Sequence, residues 1–256
     1  MRDIDETRAP LLEHLIELRR RLLWCVAALA VAFGVCFYFA RPIFAFLVQP
    51  LLRAGQGRLI YTNIFEAFFA EVKVAFFAAL MLAFPIIANQ IWQFVAPGLY
   101  RKEKRAFLPF LLVTPLLFLT GAALAYYVTM PVALHFLLSY QGDVGGVQQT
   151  ALPGVGNYLD FVTKFIFGFG VAFLLPVLLM LMERAGIVSR AQLRRGRRYA
   201  IVAAFAIAAV LTPPDVISQL TLAIPMVLLY EIALIAIWFT ERRRKRDAAA
   251  EPGMTA

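Results

Sequence analysis

Apolar residues fall in six blocks, at 22–40, 68–92, 107–130, 159–182, 199–212 and 217–239, parted by short polar or basic stretches. Blocks of about 20 apolar residues are long enough to cross a hydrocarbon core as helices. The pattern therefore predicts an all-α membrane protein with six transmembrane helices. The fifth block is shorter. Its 14 residues give roughly 21 Å of helix against a core of about 30 Å, which predicts local thinning of the bilayer. Ahead of the first block the period changes. Leu11, Leu15, Leu18 and Leu22 recur at helical spacing, opposite His14, Glu17, Arg20 and Arg21. An amphipathic helix over 10–21 follows, opened by Pro10 and supported by the i,i+4 pair Glu17 and Arg21.

The connections differ in kind. Residues 41–67 carry an apolar stripe (Ile43, Phe44, Leu47, Val48, Leu51, Leu52) broken at Pro50, which reads as helical pieces lying in the interface. Residues 131–158 begin apolar and become glycine-rich; without a flanking strand or a P-loop lysine they read as a flexible loop, not a phosphate cradle. The stretch Phe94-Val-Ala-Pro97-Gly98-Leu-Tyr100-Arg-Lys-Glu103-Lys-Arg105 holds one acid among four bases, and its Pro-Gly step is expected to stop the preceding helix. It fits a basic membrane anchor or a receptor site for a cationic peptide. Prolines inside or near the ends of the spans (Pro85, Pro109, Pro115, Pro176, Pro225) predict bends and a curved, concave wall.

Charge sets the orientation. Twenty Lys and Arg lie in the N-terminal segment, the second-to-third and fourth-to-fifth connections and the tail, against three (Arg41, Arg53, Arg58) in the other connections. The positive-inside bias predicts cytoplasmic N- and C-termini. With 62% hydrophobic and 16% charged residues and a mean hydropathy of +0.76, residues 1–240 read as a single polytopic membrane domain. Residues 241–256 read as a basic, disordered cytoplasmic tail. The net charge of +9 sits in short clusters without an aromatic-and-basic face or zinc spacing, so it signals topology and not nucleic-acid binding. Cys25 and Cys36 are eleven residues apart on one helix, roughly 16 Å, too far for a disulfide.

No catalytic constellation emerges. Three serines lie outside any G-x-S-x-G, His14 and His135 show no metal-ligand spacing, and no aspartate pair sits deep in two spans. No metal or cofactor is implied. Charged groups at or near membrane depth are Glu71, Lys73, Glu231 and the pair Asp160 and Lys164, whose i,i+4 spacing predicts mutual neutralisation. An ion-coupled small-solute transporter would need an enclosed mid-membrane polar site, and an intramembrane enzyme a nucleophile or metal set. The pattern supplies neither.

Three segments in order resemble the TatC subunit of the twin-arginine protein translocase: His14-Leu-Ile-Glu17-Leu-Arg19-Arg20-Arg21, the 94–105 stretch, and Leu211-Thr-Pro213-Pro214-Asp215-Val with Ala223-Ile-Pro225. The resemblance implies a glove-like concave bundle in the bacterial cytoplasmic (inner) membrane and a receptor for signal peptides with an Arg-Arg pair. It also implies single-span TatA and TatB type partners, self-association, and export of folded proteins driven by the proton-motive force. It assigns signal-peptide binding to Glu17, Arg19, Phe94, Pro97, Tyr100 and Glu103. Family-motif or structural roles go to Pro50, Pro85, Tyr126, Pro213, Pro214, Asp215, Pro225 and Glu231. Carboxylates match the planar fork of arginine donors, which lysine cannot reproduce, so Glu17 and Glu103 are the expected partners of the two arginines. The competing arrangement pairs Glu17 with Arg21, and Glu103 with Lys102 or Arg105. One position departs from the family. Leu174 stands where an acidic or amide residue is common on the face that meets partner helices. Lys164, ten residues earlier and roughly 15 Å away, does not substitute for it.

Overall fold

The structure is a computed structural model that describes the backbone of residues 3–99, 108–184 and 186–250, and the side chains of 15–94, 111–143, 145–184 and 186–242. The chain is helical almost throughout. In order come α1 (Asp3–Tyr38), α2 (Ala40–Arg53), α3 (Glu66–Leu99), α4 (Leu108–Leu124), a π-helical segment (Ala125–Thr129), α5 (Met130–Leu138), β1 (Gly142–Val144) and β2 (Val147–Gln149). Then follow α6 (Val155–Ala172), α7 (Leu175–Arg184), α8 (Arg190–Arg195), α9 (Arg197–Leu211) and α10 (Val216–Ala250). Five stretches are long and apolar enough to cross a membrane: Leu15–Tyr38, Glu66–Phe94, Leu111–Leu138, Val155–Arg184 and Val216–Arg242. The fifth apolar block forms α9, a helix of only 15 residues, as short as its composition predicts.

Several local expectations are corrected. The amphipathic segment leads into the first span as one helix, α1, but that helix begins at Asp3, so Pro10 lies inside it and does not open it. Pro97 and Gly98 lie inside the last turn of α3, which runs to Leu99; a proline there removes a single hydrogen bond. Pro50 likewise sits within a continuous α2, in its last turn, with Ala54 N–H reaching the Pro50 and Leu51 carbonyls. The glycine-rich loop contains a two-stranded hairpin whose two-residue turn, Gly145 (φ 64°) and Gly146 (φ 87°), requires the left-handed backbone that glycine allows. The fourth span breaks at Phe173 and Leu174, just before Pro176. α10 continues to Ala250, over part of the tail that the sequence leaves unstructured.

The described chain forms two compact units. The first comprises Met1–Leu116 and Val144–Thr163. In it α1, α2 and α3 pack through small side chains, Ala32, Cys36 and Ala40 against Ala75, Ala79 and Ala83, with Leu29, Phe33 and Ile87 around them. Small residues let helix backbones approach closely where lipid removes the usual hydrophobic drive. Trp92 Nε1 donates to Thr114 Oγ1 at 2.9 Å in the interior. The start of α6 is tied in by Tyr158, whose hydroxyl donates to the Leu47 carbonyl at 2.7 Å. Ile60 N–H reaches the Pro153 carbonyl, and Val155 N–H the Ile60 carbonyl. Cys25 and Cys36 are free thiols.

The second unit comprises Leu117–Asp143 and Lys164–Ala256. Leu179, Leu193, Tyr230, Ala233, Leu234 and Ile237 form one of its cores, and the Tyr230 hydroxyl donates to the Leu193 carbonyl at 2.7 Å. Two glycines set its tightest packing. A Cβ on Gly121 would stand 2.6 Å from the Phe169 carbonyl oxygen and 2.7 Å from the Phe173 ring, and one on Gly170 would stand 2.6 Å from the Phe118 ring.

A guanidinium pocket between α1 and α3

Within the first unit, α1 and α3 run side by side and bring Glu17 and Arg21 against Gln90 and Gln93. The i,i+4 spacing puts Glu17 and Arg21 on one face of α1; the i,i+3 spacing does the same for the two amides on α3. Arg21 is the hub. Its Nε and Nη2 donate to Glu17 Oε1 at 3.0 and 2.5 Å, and its Nη1 donates to Gln93 Oε1 at 2.8 Å and Gln90 Oε1 at 3.4 Å. Among the described residues no donor reaches Glu17 Oε2. Asn89 Oδ1 accepts from Gln93 Nε2 at 2.9 Å and so turns the Gln93 carbonyl toward Arg21. Glu17, Arg21, Gln90 and Gln93 line a cavity of about 480 Å³ together with Ile16, Arg20 and Trp24. It is polar at the guanidinium and apolar at Ile16 and Trp24, so it can hold a delocalised cation beside a greasy side chain.

The sequence reading selected part of this pocket. Glu17 is in it, engaged by Arg21. Arg19 is exposed on α1, and Phe94 is half-buried one residue beyond Gln93. Pro97 is in the last turn of α3, with its side chain outside the described residues; Tyr100 and Glu103 lie outside them altogether. Gln90, Gln93 and Trp24 were missed. Neutral amides do not disturb a hydropathy pattern, and the only available signal was two glutamines three apart near the end of an apolar run.

The remaining selected residues lie elsewhere. Pro50 is buried in α2, Pro85 is exposed on α3, and Tyr126 is buried in the π-helical segment. Pro213 and Pro214 join α9 to α10; buried Asp215 caps α10, its Oδ2 accepting from Ser218 N–H at 2.6 Å. Pro225 sits inside α10, and Glu231 accepts from Arg197 Nη2 at 2.7 Å. The expected Asp160 and Lys164 pair does not form. Asp160 instead accepts from Lys73 of α3 at 2.9 Å, since a lysine from a packed neighbouring helix competes with one on the same helix. Glu71 accepts from Arg41 at 3.1 Å.

Five long apolar helices, two of them flanking a pocket that grips a guanidinium, define a multi-pass helical membrane protein. The profile of the Sec-independent protein translocase protein (TatC) family matches residues 13–225. The chain is 48% identical over 253 residues to the Sec-independent protein translocase protein TatC of Magnetococcus marinus, covering 98% of this chain and 92% of that one. It is 40% identical to TatC of Escherichia coli K12, over 95% and 94%. A crystal structure of the twin arginine translocase receptor TatC in DDM superposes with a TM-score of 0.74 at 40% identity, over 87% of this chain and 98% of that one. This chain belongs to the TatC family. It is a subunit of the Sec-independent, twin-arginine protein translocase, working with other Tat components, and not an enzyme.

Proposed function

We propose that this chain is the signal-peptide receptor of its translocase, and that the pocket between α1 and α3 takes a guanidinium of an Arg-Arg signal peptide. One observation carries the reading: the pocket already holds a guanidinium, that of Arg21, on a carboxylate and two amide oxygens. An incoming arginine takes Glu17 Oε2, which no donor reaches among the described residues, or takes over Oε1 as Arg21 withdraws to Gln90 and Gln93. Glu103 offers the second carboxylate, with Arg19, Phe94, Pro97 and Tyr100 completing the surface by family resemblance. The crystallised relative is itself described as a twin arginine translocase receptor, which supports the same reading.

The chain then acts as the core of a complex with TatA and TatB type single-span subunits and further copies of itself. It passes folded proteins across the bacterial inner membrane at the expense of the proton-motive force. Both termini and the 96–106 and 184–198 connections face the cytoplasm. Purified chain should bind a fluorescent Arg-Arg signal peptide and discriminate against its Lys-Lys counterpart. Glu103→Arg should abolish binding while the protein stays inserted, and unchanged affinity at low salt would remove Glu103 from the site. In a background lacking Cys25 and Cys36, outer-face thiol labelling should modify a cysteine at position 146 and spare one at 102. The reverse pattern would invert the orientation.

A further inference from the structure

α6 is among the most enclosed helices of the chain, yet it leaves one narrow stripe open. In the second unit Phe165, Ile166, Phe169 and Phe173 are buried. Lys164, Val171 and Leu178 are exposed, the latter two at 46% and 53%. They recur every seven residues, a spacing that holds one helix face to within about 20° per repeat. The break between α6 and α7 does not turn the stripe away, because Phe173 N–H still reaches the Phe169 carbonyl and Leu178 N–H the Leu174 carbonyl. A seven-residue seam of this kind is what a second helix packs against.

Lys164 says what that helix carries. It lies within the apolar stretch Val155–Arg184, nine residues and about 13 Å of helix beyond Val155. Counted from the apolar block that begins at 159 it lies five residues, about 7 Å of helix, inside, so a stem of roughly 6 Å brings its ammonium only to the edge of the hydrocarbon. Its natural partner, Asp160, is engaged by Lys73, and no carboxylate meets Lys164 among the described residues. An ionisable group within an apolar span, left without a partner, marks a place where another chain can supply one. A second copy of the chain meets the need poorly, because the carboxylates that the sequence places at or near membrane depth are already in ion pairs: Glu71 with Arg41, Asp160 with Lys73, Glu231 with Arg197. Leu174 lies about 80° round the helix from Lys164, so this is a different face.

We propose that Lys164, Val171 and Leu178 form the docking face for a transmembrane helix of a partner subunit, one that carries a carboxylate level with Lys164. The inference rests on the reading that the chain works in complex with single-span subunits. The test is co-purification, in mild detergent, of the full chain with its co-expressed single-span subunits, comparing wild type, Lys164→Leu and Lys164→Arg. Arg-Arg peptide binding is measured on the same samples to certify folding.

The expected result is at least a threefold loss of co-purified subunit in Lys164→Leu, retention in Lys164→Arg, and unchanged peptide binding in both. Lys164→Glu should lose the complex and regain it when the partner's intramembrane acid is changed to lysine. That rescue cannot arise from misfolding. A complex kept intact in Lys164→Leu overturns the inference alone. If that variant also loses a bound phospholipid by native mass spectrometry, Lys164 serves a lipid phosphate instead. A wild-type chain that purifies with no single-span subunit overturns the partner reading and this inference with it.

Discussion

Two carboxylates stand at opposite ends of α3, and they are held in opposite ways. Glu66 begins the helix. Its Oε2 accepts from Thr62 N–H at 2.5 Å, Thr62 Oγ1 at 2.8 Å and Asn63 N–H at 3.3 Å, and its Oε1 accepts from Gly156 N–H at 2.6 Å. Three of those four donors are backbone amides, which cannot leave without local unfolding, and the helix dipole favours the charge as well. Glu17 lies beside the far end of the same helix and, among the described residues, is held by one arginine, itself leaning on two glutamines. All of these groups sit on rotatable stems. The same chemical group is therefore a fixed strut at one end and an exchangeable contact at the other. Only the second can hand its hydrogen bonds to a ligand.

Charge reversal at Glu17 should separate the two ends most sharply. Glu17→Arg removes a charge-assisted hydrogen bond worth about 1.5–3 kcal/mol and adds repulsion, so Arg-Arg peptide affinity should fall at least about tenfold with little change in melting temperature. Glu66→Ala should do the converse: the larger loss of thermal stability with peptide affinity kept in the folded protein. If Glu66→Ala lost peptide binding before stability, the division between strut and contact would fail. Tyr158→Phe, which removes the buried bond to the Leu47 carbonyl, should cost about 1 kcal/mol of stability in a denaturation series and leave binding alone.

The smallest effect is the most discriminating. If Arg21 competes with the peptide for Glu17, removing it should raise affinity by the worth of a part-exposed i,i+4 pair, about 0.3–1 kcal/mol or roughly two- to fivefold. An internal competitor weakens every ligand of the site alike, so Arg21→Gln should strengthen Arg-Arg and Lys-Lys peptides by the same factor. Fluorescence titration of both would show this. A weaker Arg-Arg peptide would mean that Arg21 props the pocket open instead of occupying it.

The contrast also marks what was legible in the sequence. The long apolar helices declare themselves because hydrocarbon admits little else, and Glu17 stands out as an acid on a basic face. Gln90 and Gln93 carry no charge and break no pattern, so their role depends on the packing of α3 on α1. The pairing of Asp160 went astray for a related reason. Spacing along one helix reveals neighbours four residues away, whereas Lys73 arrives from 87 residues away in sequence. The hairpin was readable from Gly145-Gly146 between two valines, but a glycine-rich stretch reads first as flexible.

The two buried glycines of the second unit bear on how this sequence can change over generations. Gly121 accommodates Phe173, and Gly170 accommodates Phe118, at distances that leave no room for a methyl group. Gly121 has no route to a side chain, because a Cβ there would also stand 2.6 Å from the Phe169 carbonyl oxygen, which no change at 173 removes. Gly170 cannot acquire a side chain unless Phe118 shrinks first, and a smaller residue at 118 leaves a void that a side chain at 170 can fill. Either single step passes through a less stable intermediate. Positions 118 and 170 are therefore expected to drift as a coupled pair, each change opening the path for its counterpart, while position 121 stays glycine and the lipid-facing residues vary one at a time.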